Sequence, residues 1–403
     1  MKKTTFPLVI GIIILTSCNN VGRHENSKNK LNSPILPYHI DLEKNLKNTR
    51  SVPLSSIGKK LEYIPLETNP TSLIGRIDGL GFTTSRLIFS EFYIFISDGH
   101  KLLQFERSGK FVRQIGSEGR GPEQYTELID FCIDEKKEII YILDARNIME
   151  FDFNSQFKRS LKLPYLSVQF MLNDTNHFMF YMGSFPVQTF DPVYSWIVTD
   201  LQGNPTINFL NYHKRVNKPG LRIGWTPLYS FNETALFMEY CADSLFYLKN
   251  LRPEPYATFN LGDLRMDPDP VLNSIGREDI NRLNQKLWTR FINENNKCLF
   301  LTLGWGFSDS SRYCVFNKQT SEITFLKHNS FINDLDGGPS FWPKYIYNDS
   351  IMIDFIYADK LLSIINKNQS GKSNDNKSDQ PGRLEMLSKQ LTETSNPVLI
   401  VVR

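Results

Sequence analysis

Short apolar runs recur along the chain and are separated by turns rich in Gly, Asn, Asp and Ser. Residues 93–98 form one run, residues 101–105 a second, and residues 111–115 a third after the turn at Ser108 and Gly109. Runs of this length, rich in β-branched and aromatic residues and bounded by turn formers, predict β-strands. Long helical periodicity is mostly missing from the sequence, so the pattern predicts an all-β fold.

The three-run unit returns with little change. Its second copy consists of residues 139–144, 148–152 and 157–161. Asp98 and Asp144 hold the same place in the two copies and are 46 residues apart. Units of short strands that repeat every 40–50 residues or so are typical of β-propeller blades.

Weaker copies bring the number of units to six. They cover residues 194–204, 235–261, 298–326 and 345–365, the last with a strand expected at 360–365. Residues 61–66 and 397–402 remain as single strands, and either could complete the last blade. Closing the ring would pair edge strands that otherwise promote aggregation. The sequence therefore predicts a six-bladed β-propeller over residues 61–403.

The exit of the first unit carries the features of a known family. The motifs are Gly109-Lys110-Phe111, Ile115-Gly116, Gly119-Arg120-Gly121-Pro122-Glu123-Gln124-Tyr125, Leu66-Glu67-Thr68 and the closing Asn396-Pro397-Val398-Leu399. They resemble the NHL-type repeat and, more narrowly, the six-bladed β-propeller lipoproteins of Bacteroidetes. The resemblance spans residues 61–403 and is strongest over residues 93–163. It implies a propeller carried on a lipid anchor.

The N-terminus has the pattern of a secretory signal. Lys2 and Lys3 precede an apolar run at residues 6–15, and the run ends at Leu15-Thr16-Ser17-Cys18. A charged start, a short apolar core and small residues before a cleavage site predict a signal peptide over residues 1–17. The last four residues resemble the bacterial lipobox, which implies acylation of Cys18 by fatty acids such as palmitate. An ordinary signal peptide with a chance cysteine is the alternative.

Acylation would hold the protein to a membrane without a transmembrane helix, since two or three acyl chains anchor a protein durably. Asn19 follows the cysteine where an inner-membrane sorting signal has aspartate, which favours the outer membrane. The next residues are polar and mixed in charge, so residues 18–60 are expected to be a flexible tether. We expect a cell-envelope protein and leave open which face of the membrane it occupies.

Net charge and cysteine spacing limit the partners. Loss of a signal peptide that carries Lys2 and Lys3 lowers the formal charge from +3 to +1. A nearly neutral chain without a basic stretch argues against nucleic acid as a partner. The remaining cysteines, Cys132, Cys241, Cys298 and Cys314, lack metal-site spacing. Three of the four lie in apolar runs, which favours buried free thiols over disulfides.

Two segments do not fit the blade pattern. Residues 267–297 contain Ile280, Leu283, Leu287 and Phe291 at helical spacing. This stripe predicts an amphipathic helix inserted between blades 4 and 5, either as core cover or as a face for a partner. Residues 367–382 are a low-complexity excursion, and residues 384–391 are expected to form a short helix.

Motifs for catalysis are missing from the sequence. It has no nucleophile elbow, zinc-protease helix, phosphate-binding loop or dinucleotide fingerprint. The six histidines are scattered singly at His24, His39, His100, His177, His213 and His328. We therefore assign no catalytic residue, metal ligand or cofactor. Propeller enzymes collect metal ligands from several blades, so a metal-dependent lyase or lactonase-type hydrolase stays an alternative.

Two polar features have both a binding and a structural interpretation. The amides of Gly119-Arg120-Gly121-Pro122, together with the Arg120 side chain, could receive an anion, or the motif could simply make a tight link between blades. Asp98, Asp144 and Asp200 end strands, where carboxylates can collect a cation or bind turn amides. The structural interpretation is favoured for both features.

Aromatic residues in turns are the best candidates for ligand binding. Trp225, Trp305 and Trp342 each lie among turn formers. Exposed rings on one propeller face would form a platform for sugars or peptides, whereas packing between blades is the alternative for each ring. With Arg120 and Tyr125 they make up the predicted ligand site. The sequence favours a non-enzymatic module that binds a peptide, glycan or envelope protein, or a structural subunit of a larger envelope complex.

Overall fold

The computed structural model describes residues 36–75, 77, 86–183, 194–210, 226–267, 277–306, 308, 310–370 and 382–403. Strands β1 (Tyr38–Asp41), β2 (Thr49–Arg50) and β3 (Leu61–Pro65) come first in the chain. Blade 1 contains β4 (Arg86–Phe89), β5 (Tyr93–Ser97), β6 (Leu102–Glu106) and β7 (Phe111–Ile115). Blade 2 contains β8 (Asp130–Asp134), β9 (Ile139–Asp144), β10 (Asn147–Asp152) and β11 (Phe157–Lys162).

The remaining blades have the same antiparallel order. Blade 3 contains β12 (Gln169–Leu172), β13 (His177–Tyr181), β14 (Tyr194–Asp200) and β15 (Pro205–Leu210). Blade 4 contains β16 (Leu228–Phe231), β17 (Thr234–Met238), β18 (Ser244–Lys249) and β19 (Arg252–Asn260). Blade 5 contains β20 (Leu287–Glu294), β21 (Cys298–Trp305), β22 (Ser311–Asn317) and β23 (Ile323–Leu326). Blade 6 contains β24 (Tyr345–Tyr347), β25 (Ile351–Ile356), β26 (Val398–Val402) and the N-terminal β3.

The blades form a closed ring of six. The first strand of each blade lies beside the first strand of the next, and β24 of blade 6 lies beside β4 of blade 1. These six strands are therefore the innermost, and they surround the axis. The predicted six-bladed β-propeller is confirmed. Both leftover terminal strands take part in closure, because β26 and β3 pair with each other in blade 6.

Burial along the strands follows their distance from the axis. β5 is buried at four of five positions, whereas the outer strand β11 alternates between half-buried and exposed residues. An inner strand has a neighbouring blade on each face, so both sets of side chains are covered. The core is accordingly divided into wedges between blades, such as Phe95 of blade 1 against Phe131 and Phe151 of blade 2.

Asp98 and Asp144 occupy equivalent places in adjacent blades. Asp98 directly follows β5 and accepts from the Gly75 amide at 2.9 Å, and Asp144 ends β9 and accepts from the Thr126 and Glu127 amides at 3.1 and 2.9 Å. Each carboxylate thus fastens the loop that enters its own blade. Asp200 differs, since it ends the third strand of blade 3 and accepts from amides of its own turn. All three carboxylates bind backbone amides, which agrees with the structural interpretation, although the amides bound by Asp144 belong to the entering loop and not to its own turn.

The expected boundary between tether and domain at residue 61 is wrong. β1 pairs in parallel with β19 outside blade 4, and β2 pairs in parallel with β23 outside blade 5. Together with β3, they form what we call the N-terminal belt, residues 38–65, which runs along the rims of blades 4, 5 and 6. Ile40 and Leu42 of the belt are almost fully buried. The segment therefore belongs to the domain.

The helices are short and lie in connections. They are α1 (Leu42–Asn45), α2 (Arg277–Leu283), α3 (Ala358–Ser370) and α4 (Arg383–Ser388), with 3₁₀ turns at Leu54–Ser56 and Gly262–Leu264. The single helix expected over residues 267–297 is wrong in its extent: among the described residues of this segment only α2 is helical, and Leu287 and Phe291 lie on β20. The strand expected at residues 360–365 is also wrong, because that segment belongs to α3 and β26 takes its place in blade 6. The short helix expected at residues 384–391 is confirmed as α4.

Candidate binding site at the propeller axis

The axial site is defined by those side chains of the innermost strands that keep solvent-accessible surface. These strands are covered by neighbouring blades on both faces and by the next strand on their outer edge. A side chain on them that remains accessible can therefore face the axis. Such residues include Arg86, Gln169, Tyr229, Ser230, Arg290, Phe291 and Tyr345, with Ile88, Ile133 and Ile346 nearer to the turns. This lining combines apolar and aromatic residues with a smaller number of polar groups, as in small-ligand sites.

Phe291 is the most exposed large apolar residue of this lining, with half of its surface accessible. A β-bulge in β20 places Thr289 opposite Leu303 and Phe291 opposite Thr302, so that Arg290 has no residue opposite it. Bulges turn side chains and are frequent near functional sites. An exposed phenyl ring on an inner strand costs solvation energy that a bound apolar group would recover.

Arg86 is the charged residue of this lining that links three blades. Its Nη1 donates to both carboxylate oxygens of Asp130, at 2.9 and 3.0 Å, and to the backbone oxygens of Phe131 and Phe170, each at 3.2 Å. A residue of blade 1 reaches blade 3 only near the axis. The Arg86 side chain keeps 22% of its surface accessible. Its Nε and Nη2 have no acceptor among the described residues, so they are available to a ligand.

One end of the axis is covered by turns from alternate blades. Lys136 of blade 2 lies 3.2 Å from Glu233 of blade 4, and the Tyr347 hydroxyl of blade 6 donates to Glu135 of blade 2 at 3.3 Å. The third link runs from the Asn232 amide of blade 4 to Asp349 of blade 6, at 3.1 Å. These turns join the first and second strands of their blades. These links therefore cover the end of the axis at which the inner strands finish.

A second charged cluster lies between blades 4 and 5 and is enclosed. Glu294 ends β20 and accepts from the Tyr229 hydroxyl at 2.8 Å, from the Tyr256 hydroxyl and from the Lys318 ammonium. Burial raises the pKa of Glu294 and lowers the pKa of Lys318, and each charge opposes the shift of the other. The Glu294 side chain has no accessible surface. We interpret this cluster as a fastening between blades.

The structure places those predicted ligand residues that it describes in separate parts of the ring. Arg120 is exposed in the loop between blades 1 and 2. Tyr125 in the same loop is fully buried, donates to the His100 backbone oxygen at 3.2 Å, and has its pKa raised by burial to about 12. Trp305 is partly buried at the end of β21. Trp342 is 4% exposed, with the rings of Phe300, Tyr313 and Phe331 around it.

The remaining calls on individual residues have mixed outcomes. Trp225 and Cys18 lie outside the described residues, as does most of the low-complexity excursion. The amides of Gly119 and Gly121 are used within the loop, by the Tyr125 backbone oxygen and the Gln124 side chain. A ligand role for Arg120, Tyr125 and the tryptophans stays a prediction. The four described cysteines are buried free thiols, as expected.

Sequence reasoning missed the axial residues because it could not identify the innermost strands. Phe291 was assigned to a helical stripe, although the run from Leu287 to Glu294 is also rich in the aromatic and β-branched residues of a strand. That composition was the signal available. Arg86 precedes Leu-Ile-Phe directly before the first recognised strand, and this short run was not counted.

The described residues also bear on metal binding and membrane insertion. No three His, Cys, Asp or Glu side chains there come together as a group that could hold a metal ion. The helices seen in those parts of the chain are too short or too polar to cross a membrane. Neither finding identifies an activity.

The fold and the accessible axis define the class as a six-bladed β-propeller. Residues 37–403 match the family described as a domain of unknown function, DUF4934, and the chain belongs to that family. No curated protein matches the chain in sequence.

Solved structures resemble the fold. One is a Bacteroides fragilis protein described as a predicted exported protein. It shares 16% sequence identity with this chain, with a TM-score of 0.69 over 91% of this chain and 98% of its own. A DUF4221 member from Bacteroides vulgatus shares 11% identity, with a TM-score of 0.45 over 67% of this chain and 85% of its own. The first likeness supports the propeller fold, and the second is too low to support a conclusion.

Proposed function

We propose that this protein is an exported, lipid-anchored propeller of the cell envelope that binds a peptide, a glycan or an envelope protein at the end of its axis where the inner strands begin. The observation that carries the proposal is Phe291, a half-exposed phenyl ring on an innermost strand. Arg86 supplies unused N–H donors on the same axis. An apolar surface with a few oriented polar groups binds ligands by combining burial with directed hydrogen bonds.

The anchor is inferred from Leu15-Thr16-Ser17-Cys18 and the apolar run before it. Asn19 after the cysteine favours the outer membrane. The B. fragilis protein of the same fold is described as exported, which supports secretion of this protein. Cys18→Ala should move the protein from the membrane fraction to the soluble envelope fraction. Retention of that variant in the membrane fraction would argue against the lipid anchor.

Binding is tested by screening the purified protein against immobilised peptide and glycan arrays and then measuring each hit by calorimetry. Phe291→Ala should weaken a genuine hit about ten-fold or more, since a buried phenyl group contributes roughly 1.5–3 kcal/mol. Phe92→Ala is the matched control, because Phe92 is 64% exposed at a turn between the first and second strands, at the covered end. If a ligand still binds the Phe291→Ala variant but no longer binds the Trp305→Ala variant, the binding site lies on the face predicted from the sequence and not at the axis.

A further inference from the structure

The arginine at the axis is already neutralised by its neighbour. The Asp130 side chain has no accessible surface, and its oxygens accept from Arg86 and from the Phe131 and Phe170 amides at 2.9 and 3.0 Å. Both oxygens are therefore occupied by donors. A buried, fully hydrogen-bonded pair of this kind is held in one geometry, since losing either partner leaves a buried charge alone.

The donors around Asp130 indicate its charged form. Burial raises the pKa of Asp130, whereas Arg86 and the two amides lower it. Its oxygens meet only donors among the described residues, so a carboxyl proton would have no acceptor there. The Cys132 thiol and the Tyr345 phenol also lie near Arg86, and burial raises the pKa of both, which keeps them neutral. Asp130 is thus the group that sets the local charge.

We propose that Asp130 is a specificity-determining residue of the axial site: it cancels the charge of Arg86, so that the site accepts an uncharged ligand with a hydrogen-bond acceptor and a flat apolar face, and rejects carboxylates. This inference rests on the proposed function, since it assumes that ligands enter the axis. It concerns the charge of the ligand and not its identity.

The preference follows from desolvation. An anion entering the axis would lose its hydration and meet a neutral pair whose carboxylate repels it, so its transfer is not compensated. A neutral amide or carbonyl loses much less hydration. Its oxygen can accept from the Nε or Nη2 of Arg86, and its apolar face can pack against the apolar and aromatic side chains of the lining. The side-chain oxygen of Gln169, which is enclosed and has no donor within the described parts of the chain, belongs to another innermost strand.

Benzamide and benzoate are matched probes, because they share a shape and a phenyl ring and differ in charge. Each is titrated into the purified protein and followed by ligand-observed NMR at pH 7. We expect benzamide to bind about ten-fold or more tightly than benzoate, with less than about a two-fold change between 50 and 500 mM NaCl, since no net charge is screened. Phe291→Ala should abolish benzamide binding, and Phe92→Ala should leave it unchanged.

Asp130→Asn keeps the side-chain shape and leaves the charge of Arg86 uncompensated. This variant should bind benzoate about ten-fold more tightly than benzamide. If that variant does not fold, the double variant Arg86→Gln/Asp130→Asn, which carries no charge, should still prefer benzamide. If the wild-type protein binds benzoate more tightly than benzamide, and Phe291→Ala abolishes that binding, the charge preference is wrong but the axial site stands. Binding that ignores Phe291→Ala, or no binding of either probe, would overturn both.

Discussion

Blades 1–3 and blades 4–6 are built from the same four-stranded unit but are held in different ways. Among the described residues, β7, β11 and β15 at the rims of blades 1–3 have no further strand beside them, whereas β1 and β2 add a fifth strand to blades 4 and 5 and β3 is itself the rim strand of blade 6. Blades 1–3 are linked near the axis by Arg86 and Asp130. Blades 4 and 5 are linked by the enclosed Glu294, which accepts from Tyr229 and Tyr256 of blade 4 and pairs with Lys318 of its own blade. The N-terminal belt thus stabilises the half of the ring in which the chain ends meet.

The largest expected effect comes from weakening the belt. Ile40→Ala with Leu42→Ala removes two almost fully buried side chains of the belt, and each truncation costs about 2–4 kcal/mol of unfolding free energy. The control is Phe157→Ala with Leu161→Ala on β11, whose side chains are only partly buried, so about half that loss is expected. Urea denaturation measures both. Equal losses would show that the belt is no more important than any other rim strand.

A smaller effect is expected from the enclosed pair. Lys318→Met leaves Glu294 buried without its cation, which costs about 3–5 kcal/mol. The double variant Glu294→Gln/Lys318→Met should recover at least half of that loss, because neither charge then remains. Since burial raises the pKa of Glu294, the folded state holds the proton more tightly than the unfolded state. Stability of Lys318→Met should therefore fall as pH rises above the ordinary glutamate range near 4.5.

Urea unfolding of the wild-type protein and the two variants at pH 5 and pH 8 tests this pair. Lys318→Met should lose more stability at pH 8 than at pH 5, and the double variant should show little change. A double variant less stable than Lys318→Met at both values would mean that the pair stabilises through its charges.

The sequence predicted the features that are local and missed those that depend on distant partners. Asp98 and Asp144 mark a repeat because each blade places its carboxylate at the same strand end. β1 is four residues long and β2 is two, and each is a strand only because β19 or β23 lies beside it. No local pattern could distinguish them from a tether. The tethering lipid at Cys18, in contrast, depends on a local motif and stays a prediction.

The same reason explains the outcome for the candidate site. A tryptophan between turn formers can be exposed like a loop residue or enclosed like Trp342, and the difference depends on rings from other strands. Phe291 fits both a helical stripe and a strand, and its exposure depends on which strand of the blade is innermost. The chemistry of a propeller axis arises from six strands that are far apart in the chain.

The smallest expected effect concerns the bare rim of blade 3. β11 in blade 2 carries Lys158, Arg159 and Lys162, whereas β15 has no charged residue, and Leu210 at its end is 42% exposed. Charged residues on edge strands oppose pairing with other molecules. Asn208→Lys should therefore delay aggregation on heating, measured by light scattering, and change the unfolding free energy by less than about 0.5 kcal/mol. Ser160→Lys on the charged β11 is the control and should have no effect, so equal gains from both variants would attribute the delay to net charge and not to the edge of β15.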